Sequence, residues 1–167
     1  IFSDDHGATW ELGGAIKPKV NECQLIEMAD GQGTLLMNMR SYFGKNRRAL
    51  SVSKDGGSTW SDPVEATSLV EPVCQAAFIR YSWPDDATGD LVLFSNPAST
   101  KRENMTVKLS EDGGKTWSRS KVLHEGHAAY SSLAVLPDGD ILCLYEKGRK
   151  NAYEKIVLAR LSLEDLQ

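Results

Sequence analysis

One eight-residue pattern occurs three times in this chain and constrains the fold more than any other feature. It reads Ser3-Asp4-Asp5-His6-Gly7-Ala8-Thr9-Trp10, Ser53-Lys54-Asp55-Gly56-Gly57-Ser58-Thr59-Trp60 and Ser110-Glu111-Asp112-Gly113-Gly114-Lys115-Thr116-Trp117. The shared form is S-x-D-x-G-x-T-W, with starts 50 and then 57 residues apart. Ser and Asp side chains accept hydrogen bonds from turn N–H groups, and Gly supplies the left-handed conformation of a tight turn. Thr restarts the strand and Trp packs as an apolar anchor. Each copy therefore predicts a hairpin turn, and the period predicts one small sheet per repeat.

The sequence between the turns supplies short strands. They are expected near Gln24–Met28, Thr34–Met39, Arg47–Ser53, Val73–Tyr81, Asp90–Ser95, Asn104–Ser110, Ser131–Leu136, Asp140–Tyr145 and Lys155–Leu163. Thr106-Val107-Lys108-Leu109 alternates as a half-buried strand does, whereas Leu91-Val92-Leu93-Phe94 is apolar throughout. Loop signals separate the strands at Ala29-Asp30-Gly31, Trp83-Pro84-Asp85-Asp86 and Pro137-Asp138-Gly139. No long amphipathic helix is expected. The reading is an all-β chain, a β-propeller in preference to an open sandwich with repetitive turns. Blades fall at about 22–67 and 73–123, the end of an earlier blade at 1–19, and an incomplete last blade at about 129–163.

Composition narrows the function. Of 167 residues 25% are charged, the net charge is −4, and no long basic block offers a nucleic-acid surface. No apolar run is long enough to span a bilayer. Cys23, Cys74 and Cys143 have no metal-ligand spacing and are an odd number, so buried free thiols are expected in place of a disulfide framework. Neither a metal nor another cofactor is expected. The chain begins at Ile1, within a repeat, which reads as a fragment of a longer protein.

The repeated turn resembles the Asp box of sialidases and related propellers. The segments between the turns resemble the retaining bacterial and animal sialidases more specifically, in family order. They are Asn21-Glu22-Cys23-Gln24-Leu25-Ile26-Glu27 through Leu36-Met37-Asn38-Met39-Arg40, and Glu71-Pro72-Val73-Cys74-Gln75. Then come Asn96-Pro97 with Arg102-Glu103-Asn104-Met105-Thr106-Val107, Tyr130-Ser131-Ser132-Leu133-Ala134, and Leu144-Tyr145-Glu146-Lys147-Gly148. The resemblance implies a six-bladed propeller of which about the last three blades are present. It also implies an exo-α-sialidase whose first carboxylate-binding arginine and acid/base aspartate lie outside this chain.

On that resemblance Tyr130 is the nucleophile and Glu22 its base. Arg40 and Arg102 bind the substrate carboxylate, Glu146 steadies an arginine, and Gln75 lies near the glycerol or N-acyl part of the sugar. The chemistry agrees with these residue types. Guanidinium groups clamp carboxylates through charge-assisted pairs. A neutral phenol avoids placing a second full negative charge beside an anionic sugar, and sialidases with tyrosine depart from the usual carboxylate nucleophile. Taken singly, Tyr130 reads better as a core aromatic and Glu22 as an exposed turn residue, and Gln75 reads equally as a side chain bonding backbone. The implied partners are sialylated glycans and an N-terminal half of the propeller, or a second copy. The implied location is secreted, periplasmic or cell-surface (lysosomal in an animal). Two other functions share the pattern: a non-catalytic Asp-box propeller binding glycans or proteins, and a trans-sialidase.

Overall fold

The computed structural model describes residues 1–166 as two antiparallel sheets. The first is a four-stranded meander in which β1 (Val20–Glu27), β2 (Leu35–Ser41), β3 (Arg47–Ser53) and β4 (Val64–Val70) pair in chain order. The second has six strands, β5 (Ala77–Arg80), β6 (Val92–Pro97), β7 (Glu103–Ser110), β8 (Arg119–Val135), β9 (Ile141–Lys147) and β10 (Lys155–Leu161). A short 3₁₀ turn, Leu163–Asp165, follows. Among the described residues no helix is long and apolar enough to cross a membrane.

The six-stranded sheet is two blade-like meanders joined by one strand. The first part of β8 pairs with β7 through Arg119–His127, and its second part pairs with β9 through Ala128–Val135. Thus β8 is the outer strand of one meander and the inner strand of the next. The chain is all-β and has the arrangement of a partial β-propeller.

Burial explains why the strands stack in this way. All six residues of β6 are buried. Leu93 joins a core with Met105, Val107, Leu109, Ile141, Cys143 and Tyr145. Its neighbours Val92 and Phe94 point the other way, into a second core with Ile26, Leu36, Leu69 and Phe78. Side chains alternate between the faces of a strand, so β6 is covered on both sides by neighbouring meanders. The face of β9 and β10 opposite the first core carries exposed Leu144, Ile156 and Leu158.

The three turns adopt one geometry. In the second box Ser53 Oγ accepts the Gly57 N–H at 2.8 Å and donates to Asp55 Oδ1 at 2.8 Å. Asp55 Oδ1 accepts the Thr59 N–H at 2.8 Å, and Oδ2 accepts the Thr59 hydroxyl at 2.6 Å. Asp5 and Asp112 repeat the pattern. Gly7, Gly57 and Gly114 share a φ near +90°, which explains the invariant glycine of the repeat. Trp117 packs on Phe94 with ring centroids 5.5 Å apart. Trp10 stays 61% exposed and anchors no core.

Several expectations are corrected. β4 and the first part of β8 were not expected as strands. Val64–Val70 buries only Ala66 and Leu69 at its outer position, so its residues show no period-two signal. β8 runs unbroken through residues expected to separate two blades. β5 is shorter than Val73–Tyr81, and Val73 itself has φ +55°, outside any strand conformation. Cys74 and Cys143 are buried, whereas Cys23 is exposed on β1.

The boxes make a direct prediction. Burial raises the Asp112 carboxyl, but hydrogen bonds from Thr116 and Ser110 outweigh it, and the net shift is downward. Ionised Asp112 therefore stabilises the fold above its unfolded pKa, and this contribution is lost only as pH falls through the lower folded value. Asp112→Ala should destabilise the protein by about 1–3 kcal/mol at neutral pH through lost hydrogen bonds to a charged acceptor. Denaturant unfolding measures this loss, and the gap between the proteins should close in strong acid.

Candidate active site

The principal residues of the site stand at or beside places where strands depart from regular pairing. Glu22 lies in a bulge of β1 between Asn21 and Cys23, at φ +35°. Arg40 is near the end of β2, opposite Asn21. Arg102 immediately precedes β7, whose register shifts between Glu103 and Met105, with Asn104 at φ +63°. Tyr130 sits in the register shift of β8 between Ala128 and Ser131, just past the change of partner from β7 to β9. Bulges re-aim side chains, and backbone strain of about 1–3 kcal/mol per residue persists only where surrounding structure enforces it.

These irregularities converge on one constellation. The Tyr130 hydroxyl donates to Glu22 Oε1 at 2.7 Å, across 108 residues of sequence. Arg40 Nη1 donates to Glu22 Oε2 at 2.6 Å and approaches the Tyr130 hydroxyl at 3.3 Å. The Arg102 guanidinium stands 5.7 Å from the Tyr130 ring centroid. Glu146 Oε2 accepts the backbone N–H of Tyr130 at 3.0 Å. Gln75 uses both ends of its amide on Ser131, donating to its carbonyl and accepting its N–H, each at 3.0 Å. The six residues singled out from the sequence thus lie together, but Glu146 pairs with no arginine among the described residues and Gln75 bonds backbone, so both hold β8 instead.

The electrostatics follow from these contacts. The bond to Glu22 is the largest influence on Tyr130 and, with burial, raises the phenol above its ordinary value. Burial pushes the Glu22 carboxyl up, but the donors Tyr130 and Arg40 overcome it and hold the acid below its usual range. At neutral pH the pair is a neutral phenol donating to a carboxylate. A phenol in that state is a latent nucleophile with its base already in place.

A buried layer supports the site, and the residue-by-residue reading had not assigned it. Arg48 and Glu71 are both almost wholly inaccessible and form an ion pair at 2.7 Å. Arg48 also donates to Asn38 Oδ1 at 2.6 Å and to the Cys74 carbonyl at 2.8 Å. The other Glu71 oxygen accepts the Ser41 N–H at 2.8 Å. The network ties the end of β2 to Glu71–Gln75, whose Cys74 packs with Ala129 and Tyr130. Burial pushes the Cys74 thiol up to about 11, so it remains an inert packing group. The Glu71-Pro72 segment was visible in the sequence, but no local signal marked Arg48 as its partner.

Three Asp-box turns, two of them on blade-like sheets, with a Tyr–Glu–Arg cluster where the strands turn irregular, place the molecule in the class of Asp-box β-propeller proteins. The BNR repeat-like domain model matches residues 1–143. A sialidase from Micromonospora viridifaciens is 38% identical over 166 residues, covering 96% of this chain and 25% of that protein. The structure of Hadza microbial sialidase Hz136 superposes with a TM-score of 0.85 at 36% identity, covering 99% of this chain and 32% of that one. The intramolecular trans-sialidase from Ruminococcus gnavus, solved with oseltamivir carboxylate, gives a TM-score of 0.78 at 28% identity. That match covers 98% of this chain and 37% of the other. The chain belongs to the BNR/Asp-box family as a sialidase (neuraminidase) domain, and it spans about a quarter to two-fifths of the length of these relatives.

The coupling of Tyr130 to Glu22 is testable by titration. Glu22→Gln removes the charge that raises the phenol, so the Tyr130 pKa should fall toward the ordinary tyrosine value of about 10. NMR of ¹³Cζ-labelled tyrosine reads this shift, with Tyr130→Phe assigning the signal.

Proposed function

We propose that this chain is the nucleophile-bearing half of a retaining exo-α-sialidase that removes terminal sialic acids from glycoconjugates. The observation that carries the proposal is the Tyr130–Glu22 hydrogen bond beside the Arg40 and Arg102 guanidinium groups. A non-catalytic propeller would have no need for a phenol paired with a base at the same point as two arginines.

The arginines bind the carboxylate on the anomeric carbon of the sugar. As the phenol oxygen of Tyr130 attacks that carbon, its proton passes to Glu22 and the bond to the leaving sugar oxygen breaks. An acid from outside this chain protonates that oxygen, following the family resemblance. The product of this step is a sialyl-tyrosine. In the second step water attacks the same carbon and gives its proton to the conjugate base of that outside acid. The Tyr130 oxygen leaves and recovers its proton from Glu22. Two inversions at one carbon retain the configuration. Arg40 keeps Glu22 anionic and near the phenol, and Glu146 and Gln75 fix the backbone that carries it.

The full catalytic domain is proposed to be a six-bladed propeller, with this chain as its C-terminal half and residues 1–19 as the end of an earlier blade. The exposed apolar face of Leu144, Ile156 and Leu158 supports a covering partner, either an N-terminal half or a second copy. Action on sialylated glycans favours a secreted, periplasmic or cell-surface location, or a lysosomal one in an animal. Similarity to an intramolecular trans-sialidase favours transfer as a second reading. Product analysis separates the two, since hydrolysis releases free sialic acid and intramolecular transfer releases an anhydro sugar.

In the full-length protein Tyr130→Phe should abolish turnover of a fluorogenic sialoside. Glu22→Gln should lower kcat by about 10²–10⁴-fold, the range for loss of a positioned general base. Neither change should lower the unfolding temperature by more than a few degrees. Wild-type kcat in both variants would reject the mechanism.

A further inference from the structure

The two site arginines are held in different ways. Arg40 is ion-paired to Glu22, whereas Arg102 has no carboxylate within salt-bridge distance among the described residues. Its Nη1 instead donates to the hydroxyl of Tyr153, and its Nη2 makes a long contact of 3.5 Å to the Val73 carbonyl. The guanidinium lies 5.7 Å from the Tyr130 ring centroid and 6.0 Å from that of Tyr153. It is thus flanked by two aromatic rings and tethered chiefly by one neutral acceptor.

Tyr153 reaches this position from the β9–β10 connection, one meander away from Arg102. The side chain is largely exposed, so burial does not hold it. The connection itself is pinned. The Glu154 carboxylate accepts the N–H groups of Arg149, Lys150 and Asn151 at 3.2, 2.7 and 3.2 Å. Asn151 Oδ1 accepts the Tyr153 N–H at 2.8 Å. Ala152 is buried against Cys74 and Ala129, beneath the nucleophile. A rigid hairpin thus presents one phenol to one guanidinium edge.

We propose that Tyr153 is a positioning residue that orients Arg102 toward an anionic ligand without neutralising it. An acidic residue in its place would fix the guanidinium equally well, but its charge would compete with the incoming carboxylate. A phenol fixes the orientation and leaves the positive charge and the remaining N–H donors for the ligand. The same contact couples the last meander to its neighbour at the mouth of the site. The inference rests on the sialidase reading for the identity of the anion, and on the Tyr153–Arg102 contact alone for the orientation.

The test is Tyr153→Phe in the full-length protein, which keeps the ring and removes only the hydroxyl. KM for a sialoside should rise about three- to tenfold, the scale of one partly exposed hydrogen bond to a charged group, with kcat within about twofold. Affinity for sialic acid should fall by a similar factor, whereas the weaker binding of its uncharged methyl ester should not change. Equal loss for acid and ester would overturn the inference, since a general distortion does not distinguish charge. A second readout needs no sialic acid: the ¹⁵Nε–Hε signal of Arg102, assigned with Arg102→Lys, should shift and broaden in Tyr153→Phe. An unchanged signal overturns the inference whatever the kinetics show. A changed Arg102 signal in Tyr153→Phe, combined with failure of the wild-type protein to bind sialic acid, would uphold the Tyr153–Arg102 coupling and reject the sialidase reading instead.

Discussion

The carboxylate of Glu22 is the interaction on which the site depends. One of its oxygens accepts the Tyr130 hydroxyl and the other accepts Arg40 Nη1, so a single acidic group joins β1, β2 and β8. It raises the pKa of both donors that it holds, Tyr130 and Arg40. The phenol, neutral at ordinary pH in any case, is held further from ionisation by the anion, and two donors lower the anion's own pKa. With the carboxylate removed, the tyrosine would be an ordinary phenol beside two uncompensated cations.

That arrangement needs a rigid base. The buried Arg48–Glu71 pair supplies it from below, with Asn38, Ser41 and Cys74 filling its hydrogen-bonding capacity. Such a pair contributes little net stability compared with well-packed apolar residues, but breaking one partner leaves a buried charge alone. Its value here is geometric: it holds the end of β2 and Glu71–Gln75 in one relation to Tyr130. The left-handed backbone conformation at Val73 lies in the segment this layer supports. Regular blades supply the scaffold, and the departures from regularity aim the side chains.

The architecture was legible in the sequence because its determinants are local. The Ser-Asp-Gly-Thr-Trp turn carries its own hydrogen bonds, and the apolar run Leu91–Phe94 could be covered on both faces only within a stack of sheets. β4 and the first part of β8 were not legible, since outer strands with few buried side chains leave no alternating pattern. The six site residues were found by resemblance to a family and by chemical type. Spacing alone could not have joined Glu22 to Tyr130. The bulges that bring them together depend on tertiary pairing, and the same is true of Arg48 with Glu71 and of Arg102 with Tyr153. Cys23 was misjudged because an apolar neighbourhood in sequence, Cys23 to Ile26, alternates between a buried and an exposed face once it becomes a strand.

A nucleophilic Tyr130 must form a covalent bond from its phenol oxygen to the sugar. Incubating the full-length protein with a fluorinated sialosyl reagent that slows breakdown of the intermediate, followed by peptide mass spectrometry, tests it most directly. One added sialosyl mass is expected on the peptide carrying Tyr130, absent in Tyr130→Phe. Labelling of a different residue, or none while turnover is inhibited, would contradict it.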